Sequence, residues 1–148
     1  MVVQTMNEKE KRYAALAPLL AIAGIFIHPV ASTLLPLVMF LVLHRQAKVD
    51  ASTIALRAAD LVFSAQLVII LANLFVGLLF NLVSISAQAA QTILLVINMT
   101  VLIYLMVSLS IAAVQAFRGQ VYRHLVSFRL AERVLSAFRA WRNATSQS

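Results

Sequence analysis

A chain of 148 residues with twelve Lys or Arg against five Asp or Glu, a net charge of +7 and no cysteine has room for one small domain and no thiol, disulfide or iron–sulfur chemistry. Its 62% hydrophobic content and mean hydropathy of +0.92 exceed what a soluble core of that size can hide. The basic residues flank apolar segments instead of forming an aromatic-lined basic face, which argues against nucleic acid as the partner. Anionic lipid head groups suit such flanking charges better.

Every Lys, Arg, Asp and Glu falls in one of three islands, Glu8 to Arg12, Arg45 to Asp60 and Arg118 to Arg142, and none lies between Leu61 and Phe117. A water-facing domain interleaves charge with apolar positions, so this distribution places the chain in a lipid bilayer. The fold class expected is an all-α, polytopic membrane bundle with two full transmembrane helices, a proline-broken N-terminal helical hairpin and amphipathic interfacial helices.

In chain order, residues 1–12 form a basic tail. Tyr13 to Leu43 follows as an apolar stretch too long for one comfortable span and short for two. Pro29 removes a backbone donor and disfavours helix at His28, so the stretch divides into arms of Ala14 to Ile27 and Val30 to Leu43, each about 21 Å long as helix. Such arms suit a re-entrant or strongly tilted hairpin; a single kinked span is the alternative. The absence of a good small-x-small site after the apolar run argues against a cleaved signal peptide.

Residues 44–60 read as a basic interfacial connector with a short helix over Ala51 to Ala59, for which Ser52 is an N-cap candidate. Residues 61–117 hold two spans, Leu61 to Val83 and Thr92 to Phe117, about 34 and 39 Å long, around a neutral loop near 84–91. Residues 118–142 read as a basic amphipathic helix in the head-group plane, with Arg129, Arg133 and Arg139 as the cationic partners of Phe138 and Trp141. Docking on a soluble partner is the other use of that surface. Residues 143–148 are a tail.

The basic residues fix an expected topology. Three sit before Tyr13, three between Arg45 and Asp60, six after Phe117 and none in the Ser84 to Gln91 loop. The positive-inside rule puts all three islands, and both termini, in the cytoplasm of a bacterial inner-membrane protein. A reporter fused after Arg12 is expected on that side.

Inside the spans the polar residues are amides, hydroxyls and glycine. Gln66, Asn73, Gly77 and Ser84 form one line, with Asn81 to its side; Thr100 and Tyr104 form a second, with Asn98 on another face. An unpaired amide in hydrocarbon costs several kcal/mol, so these residues are candidates for helix packing or for lining a path. No carboxylate lies within an apolar segment, Asp60 standing where water reaches a span's edge. His28, His44 and His124 have no metal-ligand spacing. No catalytic site, metal or cofactor is expected, and the chain reads as non-enzymatic.

The run Ala15-Leu-Ala-Pro-Leu-Leu-Ala-Ile-Ala-Gly24, then Pro36-Leu37, the helix start Ala55-Leu-Arg-Ala-Ala-Asp60, and the exit Ala112-Ala113, Ala116, Gly119 and Tyr122-Arg123-His124-Leu125 resemble the bacterial Tic20-like membrane proteins, relatives of a chloroplast inner-envelope translocon subunit. The resemblance implies four helical membrane segments. The expected function is a small subunit or scaffold of a membrane complex, its partners being lipid, other membrane proteins or copies of itself; a channel or translocon-like component built from oligomers is the alternative.

Overall fold

The computed structural model describes residues 6–83 and 85–120. Among them are four helices and no strand: α1, Glu8–Ile27; α2, Pro29–Arg45; α3, Val49–Val83; and α4, Ala87–Phe117. The all-helical, four-segment expectation matches, and α3 and α4 are each long and apolar enough to cross a membrane.

Helix α1 starts earlier than its apolar stretch does, because Glu8 and Glu10 occupy the first turn, where acidic groups complement the helix dipole. Lys11 Nζ lies 2.7 Å from Glu8, and its hydrogen bond and charge hold the Glu8 carboxyl below the ordinary carboxylate range. The stabilisation from that pair is therefore present above the ordinary range and fades as pH falls through the lowered value. The helix runs through the buried Pro18 and stops at His28, which is extended as the residue before a proline must be.

His28 also begins α2. Its Nδ1 accepts from the Val30 amide at 3.2 Å, and Pro29 takes the first helical position, where no N–H is needed. One residue thus separates two helices that pack against each other. Gly24 makes that packing possible: a Cβ there would sit 2.5 Å from Ser32 Cα.

A short turn leads from α2 to α3, with Ala47 in the left-handed region at φ 58. An L-residue pays about 1–2 kcal/mol there and glycine does not, so Ala47→Gly is expected to raise stability by about 0.5–1 kcal/mol after the entropy glycine costs. Equal or lower melting temperature in detergent would contradict this.

Helix α3 differs from the expected short helix followed by a span. It is continuous for 35 residues, because Ala51 to Ala59 are helix formers and no Pro or Gly intervenes before Gly77. Ser52 lies inside the first turn, its hydroxyl donating to Val49 O at 2.8 Å, and is not the N-cap.

Small residues set the closeness of the bundle. Ala14, Ala15 and Ala17 of α1 join Phe40 and Leu43 of α2, Ala51, Ile54, Ala55 and Leu56 of α3, and Ala116 of α4 in one buried cluster. A second cluster joins Ala21, Ala58, Leu61, Val62, Ala65, Leu105 and Leu109. Helix α1 touches the other three, whereas α2 packs on α1 and α3 and not on α4. Both clusters lie toward the charged ends. From Leu67 to Val83 only Val76 is buried, and from Ala87 to Met99 only Ala90.

Candidate functional site

Polar side chains at helix contacts are the natural places to look for function in so apolar a chain, because each must be satisfied internally or used. Asp60 departs most from expectation. Its residue is 3% exposed, not at a water-washed edge, and its chain neighbours Ala58, Leu61 and Val62 share a buried cluster with Ala21 of α1 and Leu105 and Leu109 of α4. Ser64, one turn on, is buried too, and its hydroxyl donates to Asp60 O at 2.7 Å. Ser108 is likewise buried on α4.

Gln66 joins α3 to the α1–α2 turn. Its amide nitrogen donates to Pro29 O and, at 3.2 Å, to Ser32 Oγ; its amide oxygen accepts from Thr33 Oγ1 at 3.2 Å. Ser32 Oγ in turn donates to Pro29 O at 2.5 Å. Both ends of the amide are therefore occupied by one neighbouring helix.

The rest of that line behaves differently. Asn73 and Asn81 are exposed, and their amides donate back to Ile69 O at 2.7 Å and Gly77 O at 2.8 Å. Gly77 between them has nothing within 4 Å of where a Cβ would be. So Gln66 meets α2, while among the described residues the Asn73 and Asn81 amides bond within their own helix and Gly77 faces open space. Ser84 lies outside the described residues, as do Arg129, Arg133, Phe138, Arg139 and Trp141.

On α4, Asn98 is partly buried and its Oδ1 is enclosed without a hydrogen-bond partner. Thr100 is exposed and donates to Val96 O at 2.8 Å. Thr100 and Tyr104 share the wall of a groove of about 240 Å³ between α3 and α4, completed by Leu61, Ser64, Ala65, Val68 and Val101. Since the Ser64 and Thr100 hydroxyls turn to their own helices' carbonyls, its surface is almost all carbon and suits an acyl chain better than a file of water.

The histidines stand apart. His28 is at the α1–α2 turn, and His44 stacks on Phe40 with ring centroids 5.4 Å apart. Among the described residues no three His, Cys, Asp or Glu are grouped to hold a metal ion.

Residues 9–131 match the magnetosome magnetite crystal formation protein family, MamF/MmsF. No curated protein and no solved structure matches. The family match corrects the resemblance to Tic20-like proteins. Small residues before a span's end and Tyr-Arg after it follow from close helix packing and the positive-inside rule, so unrelated polytopic proteins share them.

Proposed function

Because the chain belongs to the magnetosome magnetite crystal formation family, we propose that it is a non-enzymatic structural subunit of the magnetosome membrane, contributing to crystal formation by assembling with other membrane proteins or with itself. In this reading α3 and α4 cross the bilayer, both termini and the Arg45 to Asp60 island face the cytoplasm, and α1 with α2 forms a membrane hairpin. The residues after Arg118 add a basic surface for anionic head groups.

One observation carries the assembly reading: the exposed line Asn73, Gly77, Asn81 on α3, with its amides turned back to their own helix and open space over the glycine. Small residues let a second backbone come close, and amides there can exchange an internal bond for one across the interface. The apolar groove walls give no comparable support to a water-filled path.

The absence of cysteine makes a clean test possible. Gly77→Cys in native membranes is expected to form a discrete disulfide-linked or cross-linker-dependent adduct, and Gly77→Leu to suppress assembly and alter magnetite crystal dimensions while still inserting. Monomer alone from Asn73→Cys, Gly77→Cys and Asn81→Cys, each with a reactive thiol, would refute the interface.

A further inference from the structure

The α1–α2 pair stops part-way along the spans. Its turn is tied to Gln66 through Pro29, Ser32 and Thr33. Its other end lies level with the start of α3 and the end of α4: Lys48 Nζ sits 4.3 Å from the Tyr13 ring centre, and a Cβ on Gly119 would be 3.1 Å from Lys11 Cε. Beyond Gln66, α3 continues for about 25 Å to Val83, and among the described residues α4 alone runs beside it.

Apart from the line Asn73, Gly77 and Asn81, that upper part exposes large apolar side chains. Leu74 is 61% exposed and Leu82 79%, and Ile70, Phe75, Val96 and Met99 are exposed with them. Across the described residues, a section near the charged ends therefore cuts four helices and a section near the neutral loop cuts two. With helices about 10 Å across, the excess is on the order of 150–200 Å² per copy.

Charge fixes which leaflet holds the excess. The charge-free part of α3 begins at Leu61, so Gln66 lies about 8 Å into hydrocarbon whose single leaflet is about 15 Å deep. Phe26 and Ile27, at the turn, are 77% and 74% exposed, which places lipid chains around the tip of the pair. With Leu61 at the hydrocarbon boundary, the turn ends in the leaflet next to the charged islands and short of the midplane.

We propose that the chain is a one-leaflet wedge whose lipid partner is a bilayer bent convex toward the charged face. Among the described residues four helices occupy the leaflet that is stretched by such bending and two the leaflet that is compressed, so the curved bilayer needs less lipid rearrangement around them than a flat one. A dimer through Gly77 keeps the same ratio. The inference rests on the membrane reading above, and only a bilayer with this curvature has a differential affinity for the shape.

The full chain, labelled and reconstituted into giant vesicles containing anionic lipid with its charged face outward, is expected to concentrate severalfold in nanotubes pulled outward from them. Equal density on tube and vesicle overturns the wedge. Depth measurement separates this failure from that of the membrane reading. With a fluorophore on Leu74→Cys or Val30→Cys and quencher-bearing lipids, Leu74 is expected near the midplane and Val30 shallower, on the charged side. Val30 in the opposite leaflet overturns the wedge alone; an unquenched Leu74 overturns membrane insertion itself.

Discussion

Gly24→Ala is expected to lower the melting temperature of the detergent-solubilised protein sharply, while Gly77→Ala leaves it unchanged or raises it. The two substitutions add the same methyl group to the interior of a helix, and what decides between them is what that methyl meets. At Gly24 the methyl would meet Ser32 Cα at 2.5 Å and Ser32 N at 2.6 Å, backbone atoms of the neighbouring helix that cannot rotate away. The arms must then separate, at a cost of about 1–3 kcal/mol for overpacking. They have little freedom to do so, since His28 alone joins them. At Gly77 the methyl meets nothing, and an alanine inside a helix gains about 0.5–1 kcal/mol over glycine. Equal effects of the two changes would contradict the close packing of α1 on α2.

Gln66→Leu is the second large effect. The change preserves bulk but removes all three Gln66 bonds to the start of α2; Ser32 and Pro29 keep the bond between them, and the Thr33 hydroxyl loses its acceptor. The expected loss is about 1–2 kcal/mol, at the upper end for side-chain hydrogen bonds between membrane helices. A double-mutant cycle with Thr33→Val isolates the pair and is expected to give a coupling of about 0.5–1 kcal/mol. Additive effects would mean that the amide does not tie the two helices together. Asn73→Leu, by contrast, removes only a bond within its own helix and is expected to leave monomer stability nearly unchanged.

These contrasts mark what could be read from the chain before its folding was known. The four apolar segments, the break at His28-Pro29 and the end of α3 at Val83 follow from local chemistry: proline restricts its predecessor, and a polar uncharged run interrupts hydrophobicity. Register between helices does not follow in that way. Gln66 and Asn73 lie nearly on one line of α3, yet one bonds to α2 and the other bonds back to its own helix, because the α1–α2 pair is only long enough to reach Gln66. Asp60 looked like a boundary charge for a related reason. It is buried where α3 continues straight through the connector and the residues beside it pack against α1 and α4, neither of which a charge count contains. The connector's own helix formers were the available signal that α3 would not pause. The exit motif does not identify the family, because it reflects membrane-helix chemistry shared across families.

In the proposed topology the charged islands lie on one face of the membrane and the neutral loop on the other. Single-cysteine variants of the cysteine-free chain test it directly with a membrane-impermeant maleimide. Asn7→Cys and Gln46→Cys are expected to be labelled only from the cytoplasmic side, and Gln88→Cys only from the opposite side. Labelling of Gln46→Cys and Gln88→Cys from the same side would contradict the account, as would Asn7→Cys and Gln46→Cys on opposite sides.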